Sequence, residues 1–321
     1  MKIQFRVLSL ALALAAALSA HAAPTPVEVH GSLSVSGSRI VDERGDPVQL
    51  KGMSLFWSQW GGKYYNRGAI AHTSERWGAS VVRIAMGVEM GGYLENPEAE
   101  KARVREAVEA ARALGIYAIV DWHDHNAHKH TREAVSFFAE MASLYKDTPN
   151  VIFEIYNEPL ADASWKQVRA YAVEVIAAIR GAGANNLVLV GSPHWSQDVN
   201  LAAAKPITEY GNVAYTLHFY AGSHGVSLRS TAKAAMKRGI AIFVSEWGTC
   251  HASGNGSFSP ESSDEWIEWM DDNGISWCNW SLFDKNETAS ALKPGSSANG
   301  GWTDADLTES GRYVVSKLTG K

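Results

Sequence analysis

The chain has 321 residues, 46% hydrophobic and 20% charged, with a formal net charge of -5, a composition that suits a soluble protein built on one large core. It carries no stripe of Lys and Arg able to displace phosphate counterions, so a nucleic-acid partner is excluded. Twelve Trp is more indole than a core requires, and some of these rings are expected to face a groove, where a flat sugar face is one natural partner.

At the N-terminus, Lys2 and Arg6 flank the start of an apolar run from Leu8 to Leu18, and Ala20-His21-Ala22 is a small-x-small cleavage site. Residues 1–22 therefore read as a signal peptide, and the mature protein is expected outside the cytoplasm, in a periplasm or beyond the cell. The run is too short to span about 30 Å of hydrocarbon, and no later stretch approaches the roughly 20 apolar residues of a spanning helix. The mature chain is expected to be free of the membrane and monomeric.

Pro24 to His30 reads as a short leader. Ser32 to Val35 and Arg39 to Asp42 then alternate at period two, which predicts a small hairpin capping a larger fold. From Val48 onward, short apolar runs alternate with amphipathic stretches, the pattern of repeated βα units. The strand runs are Val48 to Ser54, Ser80 to Met86, Tyr117 to Trp122, Val151 to Tyr156, Leu187 to Val190, Val213 to Phe219, Ile242 to Glu246 and Ile275 to Ser281. Helical spacing is clearest over Glu98 to Leu114, and recurs over Thr131 to Tyr145, Trp165 to Arg180, Leu228 to Lys237, Glu261 to Asp272 and Leu307 to Leu318, with the weakest pattern over Val199 to Ala203. Eight such strands predict an α/β fold of the (β/α)8 TIM barrel kind. An open doubly wound sheet would have a Gly-rich phosphate turn after its first strand, and none follows Ser54. There is no internal repeat and no linker; Pro294 to Gly301 falls inside the last βα connection and reads as a loop. Residues 23–321 are expected to form one catalytic domain.

Barrel active sites lie at the C-terminal ends of the strands, and these ends are polar here. Arg83 lies in the second strand; the third ends Asp121-Trp122-His123, the fourth Asn157-Glu158-Pro159, the seventh Ser245-Glu246-Trp247-Gly248 and the eighth Asn279-Trp280-Ser281, while the sixth contains His218-Phe219-Tyr220. Each Glu has a plain structural reading by itself, Glu158 as a carboxylate at a helix entry and Glu246 as a salt-bridged strand end. Both on one barrel face, beside an Arg and two His, point instead to glycosidic cleavage. There one carboxyl protonates the leaving oxygen while the other stabilises or attacks the anomeric carbon.

With these motifs, joined by Leu50-Lys51-Gly52-Met53-Ser54, Leu292-Lys293-Pro294-Gly295 and Gly300-Gly301-Trp302, the chain resembles the secreted bacterial endoglucanases (cellulases) of glycoside hydrolase family 5 over essentially its whole mature length. The resemblance implies a retaining enzyme acting inside β-1,4-glucan chains, with Glu158 as acid/base and Glu246 as nucleophile. It further implies that Asn157 bonds the sugar 2-OH, that Arg83 and Tyr220 hold the nucleophile, and that His123 and His218 line the reacting subsite. Trp280 and Trp60 look like sugar-facing walls, and Lys285 with Glu287 looks like a hydrogen-bonding pair further along the groove. Phe56 and Gly87 stand where many relatives carry a His and an aromatic residue, a departure that bears on the non-reducing side of the groove and not on the chemistry. Arg83 is expected to favour ionised Glu246, whose charge would raise the pKa of Glu158.

Three alternatives have discriminating features. The same machinery could serve mannan or mixed-linkage glucan. A non-catalytic sugar-binding barrel would keep the aromatics but should lack one Glu. A metal-dependent hydrolase would need the imidazoles of the His-rich run Asp121 to His130 to converge on one point; with one of them already assigned, no metal or cofactor is expected. Cys250 follows the seventh strand and Cys278 lies in the eighth, so in an oxidising compartment a bridge between them is expected.

Overall fold

The computed structural model describes residues 23–320; residues 1–22, expected from sequence to be a signal peptide, lie outside them. Among the described residues, no helix is long and apolar enough to cross a membrane. Strands β1 (Ser34–Ser36) and β2 (Arg39–Val41) form the expected antiparallel hairpin, with Val35 opposite Ile40 and Gly37 at the turn with φ 59°, a left-handed conformation that glycine adopts without a Cβ penalty. Leu33 and Ile40 join Val48 and Leu50 in a cluster with Val81, Tyr117, Ile119, Ile152, Leu189 and Phe243. The hairpin thus closes the N-terminal mouth of the barrel, as its position before the first βα unit predicts.

The barrel strands are β3 (Lys51–Leu55), β4 (Val81–Gly87), β5 (Tyr117–His123), β6 (Val151–Glu154), β7 (Val188–Val190), β8 (Val213–Tyr220), β9 (Ile242–Gly248) and β10 (Trp277–Leu282). All neighbours pair in parallel, and β10 returns to β3 with Trp277 opposite Lys51. Their apolar runs are near-continuous because both faces are buried. On β5, Tyr117 and Ile119 fill the barrel while Ala118, Val120 and Trp122 pack outward against the helices. Farther along the inward face the residues become polar, with Asp121 and His123 buried. Apolar layers below therefore support a polar layer above, at the end where a barrel carries its site.

One irregularity decides what that layer contains. Between β8 and β9 the register runs Thr216 opposite Phe243 and then His218 opposite Glu246, and β10 pairs Trp277 with Val244 and then Asn279 with Trp247. Both neighbours thus place one extra residue in β9 between Val244 and Glu246, a β-bulge. Phe243 points into the barrel, Val244 and Trp247 outward, and the extra residue lets the consecutive side chains of Ser245 and Glu246 both bond inside.

The helices follow the predicted spans closely. Thr131–Tyr145 is as read, Pro97–Leu114 and Trp165–Gly181 differ by one residue at an end, and the weak Val199 segment is a helix to Ala204. The leader is a helical turn, Pro26–His30, fixed by a capping box between Thr25 and Glu28. Helix Arg67–Glu75 has no counterpart in the sequence reading, because only Ala69, Ile70 and Thr73 of it are buried and the apolar period is faint. The closing helix starts at Glu309 rather than Leu307, where Thr308 accepts a bond from the Gly311 N–H. Pro294 to Gly301 is a loop, as expected.

The expected bridge is not formed: Cys250 and Cys278 are both free and buried. Cys278 sits one residue past Trp277, level with the Val244 region of β9, and packs in the lower barrel core. Cys250 lies beyond the end of β9, among Phe56, Ala85, Trp280 and Ala289. At about 3.3 Å per residue the two are several residues apart along the barrel axis, outside the roughly 7 Å Cα separation that a disulfide tolerates. Adjacent strands gave the right neighbours at the wrong heights. Thiol titration of the unfolded, unreduced protein should find two reactive groups per chain; finding none would contradict this packing.

Candidate active site

Arg83 on β4 is fully buried and spends its guanidinium on the strand ends around it. Nε and Nη2 donate to the two oxygens of Glu154 at 2.8 and 3.0 Å, Nη1 donates to Glu246 Oε2 at 2.9 Å, and Nη2 also reaches Asn157 Oδ1 at 2.7 Å and Asp121 Oδ2 at 2.9 Å. A planar fork with five donors suits such a cluster; a lysine would offer one point. Three carboxylates around one cation leave excess negative charge. Burial and the neighbouring carboxylates hold Asp121 well above the usual range, with Arg83 pulling the other way.

Glu246 has both oxygens held, Oε2 by Arg83 and Oε1 by the Tyr220 hydroxyl at 2.8 Å. Glu158, just beyond β6, is held on each oxygen by an imidazole: His218 Nδ1 lies 2.9 Å from Oε1 and His125 Nε2 lies 3.2 Å from Oε2. Behind His218, Nε2 meets the Ser245 hydroxyl at 2.9 Å, and that hydroxyl donates to Glu154 at 2.9 Å. One oxygen of Glu158, one of Glu246 and a nitrogen of His218 all lie within 4.8 Å of one another.

The charge order differs from the sequence expectation. Burial opposes the charge on Glu158, but hydrogen bonds and charge from His125 and His218 outweigh it and bring its pKa down to about 2. Glu246 is raised, by burial first and then by the charge of Glu158, against the pull of His218, Arg83 and Tyr220. Arg83 acts on Glu246 as expected, but the two imidazoles on Glu158 set the order. The proton rests on the histidines: burial would lower His218, yet its interactions with Glu154 and Glu158 carry it up to about 9.

The remaining expected residues come to the same face. His123 bonds Asp121 at 2.6 Å, and its ring lies parallel to Trp280 at 5.2 Å and edge-on to Trp57 at 4.1 Å. Burial and the charges of Arg83 and the neighbouring histidines hold His123 neutral. Trp60 is 52% exposed at the rim, 5.4 Å from Trp57. Lys285 and Glu287 form an ion pair at 2.5 Å, with Lys285 over the Phe56 ring. Phe56 stacks on Phe283 at 4.3 Å, and at Gly87 a Cβ would lie 1.7 Å from Gln59 Oε1, so the Gln59 side chain occupies the space that a side chain at position 87 would take.

Two cavities meet over the carboxylates. One of about 280 Å³ runs past Trp57, Trp60, Trp280 and Lys285; another of about 650 Å³ runs past His194, Trp195, Gln197 and His224; both share Glu158, Tyr220 and Glu246. A larger cavity of about 870 Å³, between helix Arg67–Glu75 and the closing helix, holds neither Glu. Trp57, Glu154, Trp195 and Gln197 were not singled out from sequence, and His125 was noted only as part of the His-rich run, not as a partner of Glu158. Only Glu154 had a clear signal, an acidic residue inside an apolar strand run, which needs a buried partner. Trp195 stands on a left-handed turn, His194 to Ser196 with φ of 60°, 54° and 56°. Such backbone costs roughly 1–2 kcal/mol per residue and is braced here by bonds from Trp195 N to Pro159 O and from Ser196 Oγ to Asn157 O.

The imidazoles of the His-rich loop diverge to separate partners: His123 to Asp121, His125 to Glu158, His128 to Tyr156, and His130 to Asp124 at 2.7 Å with Glu89 at 3.7 Å. They brace the rim at four points.

A model of the cellulases of glycosyl hydrolase family 5 matches residues 41–286. The chain belongs to that family. It is 46% identical, over 99% of its length, both to Endoglucanase N of Pectobacterium atrosepticum and to Endoglucanase 5 of Pectobacterium carotovorum, spanning 72% and 63% of those proteins. The catalytic domain of a Thermobifida fusca endoglucanase, solved as a variant in complex with cellotetraose, superposes with a TM-score of 0.88 at 33% identity, covering 92% of this chain and 99% of that one. This family 5 member is an endoglucanase that hydrolyses β-1,4-glucan bonds.

His218 gives the site a pH signature. An imidazole with an ordinary pKa of 6.5 in the unfolded chain holds its proton to about 9 when folded. Its stabilising contribution is therefore complete below 6.5 and is lost as pH rises through 9, each unit being worth about 1.4 kcal/mol. Thermal unfolding of the wild type should fall across that window, and His218→Asn should flatten the slope; equal slopes would place the proton elsewhere.

Proposed function

We propose that this endoglucanase cuts within β-glucan chains by double displacement, Glu246 attacking the anomeric carbon while Glu158 first donates and then accepts a proton. The observation that carries this reading is the carboxylate pair, with oxygens inside 4.8 Å of each other. Retaining pairs stand about 5–5.5 Å apart, whereas inverting pairs need about 6.5–9.5 Å to admit a water. Arg83 and Tyr220 fix the attacking carboxylate. Asn157 spends its amide oxygen on Arg83, which leaves its NH2 for the 2-OH of the reacting sugar, and neutral His123 lines the same subsite. When Glu158 gains its proton, the charge that raises Glu246 disappears, so the nucleophile becomes easier to ionise as the acid is armed.

Cavities on both sides of the carboxylates support endo-action, since a chain can extend from the Trp60 and Lys285 end to Trp195 without ending at the cut. Residues 23–321 act as one secreted catalytic domain, a monomer, with residues 1–22 as the export signal. Viscosity of soluble cellulose should fall well before reducing ends accumulate, and turnover on soluble cellulose should exceed that on mannan; short products at constant viscosity would indicate exo-action, and a preference for mannan would reassign the polymer.

The two roles separate chemically. Glu246→Ala should lose about 10³-fold or more in turnover and, with azide, yield an α-glycosyl azide. Glu158→Ala should keep substrates with good leaving groups in the first step and yield a β-azide. NMR of the two products tests the assignment, and swapped anomers would reverse it.

A further inference from the structure

The two imidazoles on Glu158 are held very differently. His218 is buried, 2% exposed in its side chain, and tied at its far nitrogen to Ser245. His125 is 33% exposed in its side chain, and its backbone is pinned where its carbonyl accepts the Tyr156 hydroxyl at 3.1 Å. Its ring meets Glu158 Oε2 on one side and the Trp57 ring, 5.6 Å away, on the other. A glycosidic oxygen can take its proton only from a Glu158 oxygen that is not already engaged. Oε1 belongs to the fixed His218, so the bond open to replacement is the one from His125, which stands at the groove.

We propose that His125 stores the proton of the acid step, hands it to Glu158 when a glucan chain displaces its ring from Oε2, and recovers it when product leaves. This rests on Glu158 being the acid/base. In the handover the Nε2–H bond of the imidazolium breaks, the Oε2–H bond of Glu158 forms, and a cation and an anion become two neutral groups. Glu158 then protonates the leaving oxygen. In the second step it takes a proton from the attacking water, and on product release that proton returns to His125, so the cycle closes without any other reactant. The groups facing His125 are Glu158 beyond β6, Glu246 on β9, and Asp124 and His123 on its own loop, with His218 of β8 across the carboxylate; Trp57 adds no charge. The carboxylates prevail over burial and hold His125 above an ordinary imidazole, in keeping with a stored proton. His125 acts through Glu158 and is a positioning residue.

The test compares kcat/KM for cellotetraose with that for dinitrophenyl β-cellobioside, whose leaving group needs no proton, in wild type, His125→Gln and Glu158→Ala. His125→Gln should lose roughly 10–100-fold on cellotetraose and less than about threefold on the aryl substrate, with its cellotetraose pH profile displaced. Equal losses on both substrates, or none on either, would overturn the proposal. Glu158→Ala is the control for the underlying reading: if it too shows no split between substrates, the acid/base assignment fails, whereas a split there and none in His125→Gln removes His125 alone. Imidazole nitrogen NMR of wild type should show His125 cationic when free and neutral with a sulfur-linked cellotetraose bound; an unchanged charge would also overturn it.

Discussion

Everything at the top of this barrel is arranged around one buried cation. Arg83 reaches Asp121 on β5, Glu154 and Asn157 on β6 and just beyond it, and Glu246 on β9, and its desolvation is tolerable only because each N–H has an acceptor. Removing one carboxylate would leave an N–H of Arg83 buried without an acceptor, and removing Arg83 would leave three acids buried together. Glu246, the proposed nucleophile, is therefore placed by the same interaction that binds the strand ends, which makes positional precision part of the fold.

The second requirement is that like charges near each other remain usable. Glu158 and Glu246 raise each other's cost of ionisation, and the histidines relieve it on one side while Arg83 and Tyr220 relieve it on the other. Two environments keep the carboxyls distinct although they are close. The bulge in β9 is what permits this: a regular strand would turn either Ser245 or Glu246 outward, and the site would lose either the support behind His218 or the Glu246 carboxylate.

The sequence made the architecture legible because barrel strands buried on both faces are apolar runs, and their polar last residues mark the catalytic face. Glu158, Glu246, Arg83 and His218 could be placed there from strand order alone. Heights along the barrel axis could not. Cys250 and Cys278 were expected to pair because their strands are neighbours, and only the register shows that they sit in different layers. The bulge leaves no mark in the sequence, where period two alone would turn Ser245 and Glu246 to opposite faces. Contacts from loops were hidden as well: those of His125, Trp57 and Trp195 depend on backbone turns with no period to read, and with the His125 contact to Glu158 unseen the direction of the Glu158 shift came out reversed.

The central claim is that Glu246 forms a covalent bond to the sugar within this Arg83-centred site. An activated 2-fluoro cellobioside slows the second step and traps such an intermediate, so the labelled protein can be digested and sequenced by mass spectrometry. One sugar per chain on the peptide carrying Glu246 is the predicted result; label on Glu158, or turnover with no label and an inverted product, would contradict it.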